Sequence, residues 1–263
     1  MKKIFQILLI FAALISCQKE IDVDLNDADP KVVIEANYIG TDSLVRVRVT
    51  QTSSYFDSNP SPVIDNAVVS IIDQSGTPTD IPPIGNGYYE LANYIPNYNT
   101  TYTLNIQTAD LTVYTAQCYL PSPVQLQPIV EQYFPPGLFS GDGGYVTLIR
   151  FNDPADTVNF FSAIQGKNGI WEDSLSSLLV QDDVLTNGNF VERPLFNIIY
   201  QSGDTAMMEL RSIDERIYNY ITQAQGADDP NSAAPGNPTS NWNNDALGYF
   251  SAYSYSRQTL VIP

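Results

Sequence analysis

The sequence predicts an all-β-dominated protein. An N-terminal immunoglobulin-like β-sandwich is expected over residues 31–122, followed by a second β-rich domain over 123–263 with one amphipathic helix near 212–225. Three observations carry this prediction. From Lys31 onward, β-branched and aromatic residues recur with period two, the signature of half-buried strands. Glycine, proline, asparagine and aspartate punctuate these runs at short intervals. Near the middle, the stretch Leu120-Pro121-Ser122-Pro123-Val124-Gln125-Leu126-Gln127-Pro128 interrupts the pattern. Proline fixes φ and restricts the residue before it, so this stretch reads as an extended connector and places the domain boundary.

Taken in order, Val32–Tyr38 is the first strand candidate and Leu44–Thr50 the clearest, with Val45, Val47 and Val49 facing one way and Arg46 and Arg48 the other. Ala67–Asp73, Gly87–Leu91, Thr101–Gln107 and Leu111–Gln117 follow. That makes six or seven short strands in about ninety residues, the spacing of a sandwich. Beyond the connector, Ile129–Phe134, Tyr145–Phe151, Val158–Ile164, Leu195–Tyr200 and Ala206–Leu210 continue the pattern. Ser212-Ile213-Asp214-Glu215 reads as a capping box, with the Ser212 hydroxyl accepting from a first-turn amide and Glu215 reaching back. Ile213, Ile217, Tyr220, Ile221 and Ala224 then fall on one helical face, predicted to dock on the sheet, and Gly226 can end the helix. Residues 227–245 are rich in Asp, Pro, Asn, Ser and Gly. Leu247–Tyr255 and Thr259–Ile262 are the last two strand candidates.

Composition removes several function classes. The chain has 12 basic and 29 acidic residues, a formal net charge of −17. Phosphate contacts need clustered Lys and Arg, so nucleic-acid binding is excluded. Charged residues make up only 16% of the chain against 43% hydrophobic, which separates it from a disordered acidic tail. Histidine is absent, which removes His-based triads, His metal ligands and imidazole acid–base chemistry. The two cysteines are Cys17 and Cys118. Cys118 lies in a strand-like stretch and is expected to be a buried, unpaired thiol.

The N-terminus carries the most specific signal. Met1-Lys2-Lys3 is a basic start, Ile4–Ile15 is an apolar run broken only by Gln6, and Ser16 precedes Cys17. Its length matches a signal-peptide h-region and is too short to span a bilayer. Leu14-Ile15-Ser16-Cys17 resembles the lipobox of bacterial lipoproteins, in which the cysteine is acylated and residues 1–16 are removed. The expected membrane contact is therefore through acyl chains on Cys17. Residues 17–30 then form an acidic tether closed by Pro30. Asp22, Asp24 and Asn26 begin a calcium-loop spacing, but Asp27 and Val33 stand where Gly and Glu belong, so a solvated spacer is the reading. Lys19-Glu20 partly resembles the surface-export signal of Bacteroidota lipoproteins, with Ile21 in place of a second acid.

The candidate chemistry beyond the anchor is sparse. The carboxylate clusters are Glu172-Asp173, Asp182-Asp183 and Asp228-Asp229. Such pairs can run glycoside hydrolysis or hold Ca²⁺ at the right separation, but adjacent acids in loops are ordinarily solvated. No cofactor and no metal site is expected, and no catalytic residue is assigned. Trp242, Tyr249 and Trp171 are the candidates for a ligand or partner surface, since aromatic rings supply stacking area with a polar handle.

Together, these stretches resemble a family of Bacteroidota lipoproteins, the domain-of-unknown-function family 4249. The residues that carry the likeness include Cys17-Gln18-Lys19-Glu20, Tyr102-Thr103-Leu104-Asn105-Ile106, Phe151-Asn152-Asp153-Pro154 with Asn159-Phe160-Phe161, and Gln181-Asp182-Asp183-Val184 before Asn187-Gly188. Ser212–Tyr220, Asn237-Pro238 and Leu247-Gly248-Tyr249-Phe250 complete the set. The succession Gly-Tyr-Tyr-x-Leu then Tyr-Thr-Leu-x-Ile also resembles carboxypeptidase-regulatory-like sandwich modules. The family resemblance implies a non-enzymatic outer-membrane lipoprotein, a binding or accessory component beside a TonB-dependent receptor. A glycan-binding or adhesion lipoprotein using aromatics around Trp242 is the alternative, and a carboxylate-based hydrolase the third.

Overall fold

The computed structural model describes residues 29–54, 59–137, 142–227 and 236–263. Cys17, the lipobox, nearly all of the tether and the Asp228-Asp229 pair lie outside the described residues. The strand-dominated class is observed. In chain order the strands are β1 (Val32–Ile39), β2 (Leu44–Gln51), β3 (Val68–Ile72), β4 (Pro78–Asp80), β5 (Pro83–Gly85), β6 (Tyr88–Ala92), β7 (Thr100–Gln107) and β8 (Val113–Leu120). They continue with β9 (Val130–Phe134), β10 (Gly144–Asn152), β11 (Phe160–Lys167), β12 (Ile170–Trp171), β13 (Leu179–Asp182), β14 (Phe190–Tyr200), β15 (Thr205–Ile213) and β16 (Leu247–Val261). Among the described residues one α-helix, α1 (Glu215–Ala227), precedes β16.

The alternation in the sequence becomes two faces. In β2, Val45, Val47 and Val49 are fully buried, while Arg46 and Arg48 face outward and pair across strands with Glu90 at 2.7 Å and Glu35 at 3.7 Å. Such exposed pairs contribute little, roughly 0–1 kcal/mol each; the buried valines hold the strand.

The N-terminal β-sandwich and the β-rich region after it share a sheet. A single nine-stranded sheet, in order β12-β11-β15-β16-β1-β2-β6-β5 with β13 also on β11, runs through both halves. A four-stranded sheet (β4-β3-β7-β8) and a three-stranded sheet (β14-β10-β9) complete the architecture. The joint is β16. Residues 247–253 pair in parallel with β1, and residues 254–261 pair antiparallel with β15. The two strand candidates expected at the C-terminus are thus one fifteen-residue strand that changes partner midway. The main core accordingly mixes Ile34, Tyr38, Tyr102 and Cys118 with Phe250 and Ala252. A second core gathers Phe151, Phe161, Leu195, Met208 and Leu210.

The proline connector is fastened to the shared sheet. It crosses β15 and β16 and is hydrogen-bonded to three serines of those strands. Ser254 Oγ donates to Pro121 O (2.9 Å), Val124 N donates to Ser212 Oγ (3.3 Å), and Leu126 N donates to Ser256 Oγ (2.7 Å). Val124, Leu126 and Ile129 are buried in the second core. A proline-rich segment cannot donate a full ladder, so side-chain hydroxyls satisfy it instead.

The helix starts later than predicted. Ser212 remains in β15, because that strand pairs with both β11 and β16 through Ser212. The N-cap is Asp214, whose Oδ1 accepts from Ile217 N at 2.9 Å. Gly226 lies inside the helix rather than beyond it.

Candidate functional site

Because successive side chains alternate, Tyr249, Ser251, Tyr253, Tyr255 and Arg257 of β16 all project from one face of the large sheet. The register with β15 puts Glu209 opposite Arg257 and Arg211 opposite Tyr255 on that same face. Glu209 is only 1% exposed, and each carboxylate oxygen is held by a different cation: Oε1 by Arg211 Nε and Oε2 by Arg257 Nε. A buried carboxylate needs such compensation.

The two guanidinium groups are stacked as well as paired. Arg257 lies 4.1 Å from the Tyr255 ring centre and 5.4 Å from that of Trp171, and Arg211 lies 5.0 Å from Tyr253. Burial lowers the Arg257 pKa, but Glu209 outweighs it and the net shift is upward, so this cation keeps its charge across the accessible pH range. Tyr255 donates to Asp42, and burial followed by that hydrogen bond pushes its hydroxyl up to about 12. Burial likewise raises Tyr249, Tyr253 and Tyr220. These hydroxyls therefore act as neutral donors and acceptors. Helix α1 covers one end of the face, where Tyr220 and Tyr249 rings meet at 5.2 Å. A cavity of about 130 Å³ remains there, lined by Asn37, Arg211, Tyr249, Ser251 and Tyr253 among others. Rings, amide, hydroxyl and guanidinium groups converge on it; the arrangement suits stacking and hydrogen bonding.

A larger groove of about 770 Å³ opens where the connector passes the start of α1, bordered by Tyr119, Pro121, Asn159, Asp214 and Arg216. Two of its charged groups are committed to structure. Besides capping α1, Asp214 accepts from Tyr119 N at 3.2 Å, and Arg216 donates to Gln117 O at 2.9 Å. These contacts fasten the outer edge of β8 to the helix, closing an edge that would otherwise offer a free ladder.

Of the residues singled out in the sequence, Trp171 and Tyr249 both lie on the aromatic–arginine face, partly buried. Trp242 does not. It is 6% exposed, its Nε1 donates to Ile34 O at 3.2 Å, and its ring packs 6.3 Å from Phe250. Its backbone also bridges Ala116 of β8, so it plugs the space between the two sheets instead of lining a surface. Cys118 is buried and free, as its strand setting predicts; its sulfur accepts from Ala252 N at 3.0 Å, and burial first, then Asp214, pushes its thiol pKa well up. The residues not identified from the sequence are Glu209, Arg211, Tyr253, Tyr255 and Arg257. The period-two run from Tyr249 to Arg257 was the available signal.

Comparison with known proteins adds one decisive match. The model of the family described as "Domain of unknown function (DUF4249)" matches residues 18–259. The chain belongs to that family. No curated protein matches this DUF4249 chain. Among solved structures, a two-domain fibronectin type III segment from chicken tenascin is similar at 12% identity and a TM-score of 0.24, over 70% of this chain and 90% of that one.

Proposed function

We propose that this protein is a non-catalytic, lipid-anchored outer-membrane protein that serves as a binding or accessory component of a TonB-dependent transport system. The observation that carries the binding half of this reading is the ladder of Trp171, Arg257, Tyr255 and Arg211 beside the Tyr249 cavity. Aromatic and arginine side chains are the groups most enriched at the centres of recognition surfaces. The anchoring half rests on Leu14–Cys17, with acyl chains on Cys17 holding the protein by about 0.8 kcal/mol per buried methylene. Cys17→Ser is expected to abolish palmitate labelling and to release folded protein from the membrane fraction. Retention of that variant through high-salt washing contradicts the anchor.

A second reading, a surface glycan-binding protein, draws on the Trp171–Arg257–Tyr255 stack, because ring faces and guanidinium groups also suit sugars. The version centred on Trp242 is withdrawn, since that ring is buried. Binding on a glycan array that disappears with Trp171→Ala favours this second reading; an array with no binding removes it.

A further inference from the structure

The segments 153–159 and 183–189 lie thirty residues apart in sequence and are fastened to each other at the end of the three-stranded sheet. Asp153 N donates to Asn189 O (3.0 Å), and Asp153 Oδ2 accepts from Gly188 N (3.0 Å). In return, Asp183 Oδ2 accepts from Asn159 N (2.8 Å), and Asn159 Nδ2 donates to Pro154 O (3.0 Å). Thr186 N and Asn187 N both donate to Asp183 O, which curls the second segment into a tight turn.

Two carboxylates are buried in this junction: Asp153 is 5% exposed and Asp183 2%. Among the described residues neither has a basic partner within 4.0 Å. Asp153 Oδ1 and Thr186 Oγ1 are both sealed from solvent with no hydrogen-bond partner in the protein. Burial, opposed by the Gly188 hydrogen bond and reinforced by the charge of Asp183, raises the Asp153 pKa. A buried, unpaired carboxylate oxygen is costly, and two carboxylates that feel each other are costlier still.

We propose that this junction is a calcium site, with Asp153 and Asp183 as carboxylate ligands and Thr186 Oγ1 as a neutral oxygen ligand. A hard divalent cation would compensate both charges and occupy both orphan oxygens at once. The donors offered here are all oxygens, and the chain has no histidine, which suits a hard cation rather than a soft transition metal. Mg²⁺ demands near-ideal octahedral geometry, whereas Ca²⁺ accepts an irregular loop with carbonyls and water completing its shell. Two carboxylates place the affinity with extracellular calcium modules, at a Kd of roughly 10⁻⁴–10⁻³ M. The inference is independent of the binding role above and replaces the expectation of no metal site. The sequence directed attention to Asp182-Asp183 as neighbours, whereas the partner of Asp183 is Asp153.

The test is thermal unfolding of the chelator-stripped full chain in about 10 mM CaCl₂ against NaCl of equal ionic strength. The wild type is expected to gain about 3–10 °C in Tm. Asp153→Asn, which keeps an acceptor for Gly188 N, abolishes that gain, and Thr186→Val, which keeps the side-chain shape, reduces it. A wild type whose Tm ignores Ca²⁺ overturns the proposal in favour of a protonated Asp153. An undiminished gain in Asp153→Asn overturns it in favour of Ca²⁺ bound elsewhere.

Discussion

The two halves that share the large sheet differ in how they treat buried polar groups. In the N-terminal half the tyrosines are buried with their hydroxyls engaged. Tyr38 OH donates to Tyr94 O (2.9 Å), Tyr89 OH donates to Ile64 O (2.8 Å) while accepting from Ala67 N (2.9 Å), and Tyr102 OH accepts from Asn97 N (2.7 Å). The Tyr102 ring meets those of Tyr38 and Tyr94 edge to face, and the Tyr38 and Tyr94 rings pack tilted against each other. Among the described residues seven buried side-chain polar atoms lack a protein partner, and six belong to residues 153–193; Arg48 Nε is the exception. Each such atom costs about 1–3 kcal/mol. The N-terminal half thus satisfies nearly all of its buried polar side chains, whereas the second half leaves six without a protein partner. Both proposals above, the aromatic–arginine face and the calcium junction, draw most of their residues from that second half.

Five substitutions probe the contrast. The largest effect is expected where the halves join. Gly248 has φ +93°, and a Cβ there would sit 2.1 Å from Ile34 O, so only glycine allows β16 to lie against β1. Gly248→Ala should destabilise by about 4 kcal/mol or more in urea titration, combining backbone strain with a clash. A loss below about 1 kcal/mol would mean that β16 does not couple the halves tightly. Next come the two tryptophans. Trp242→Ala should cost about 3–5 kcal/mol by opening a core cavity, whereas Trp171→Ala should cost about 1 kcal/mol or less. Equal costs would erase the distinction between plug and surface ring.

Glu209→Gln should cost about 3 kcal/mol, the lower end of the range for a broken buried pair, because both arginines retain solvent contact. The smallest effect is at Asp153. Its folded pKa is raised, so the folded state holds the proton more tightly than the unfolded chain, and stability falls as pH rises through the folded value. In chelator, Asp153→Asn should therefore match the wild type in acid and exceed it at neutral pH by less than about 1 kcal/mol. Parallel pH–stability curves would contradict that assignment.

Much of the fold was legible because period two is a local signal: Val45, Val47 and Val49 declare their face without knowledge of any partner. What was not legible depends on partners. Ser212 stands three residues before Glu215, as a capping box requires, yet pairing on both sides carries β15 through Ile213 and leaves Asp214 as the first residue free to cap. Arg257 and Gln258 interrupt the apolar pattern and suggest a break in the last strand, but they pair with Glu209 and Met208. The Asn- and Pro-rich surroundings of Trp242 suggest exposure; only the bridge to Ala116 puts it inside. At the candidate site Trp171 and Tyr249 could be named from residue type. Glu209 and the two arginines acquire their meaning from cross-strand register.

The most direct test of the central claim, that the outer face of the shared sheet is a recognition surface held at the membrane, is a detergent pull-down with acylated full-length protein. Wild type is compared with Trp171→Ala at matched Tm. The account predicts that wild type recovers a TonB-dependent outer-membrane receptor and that Trp171→Ala recovers at least about tenfold less, the loss expected for a ring at a hot spot. Recovery of no receptor by the wild type, or equal recovery by both, would contradict it.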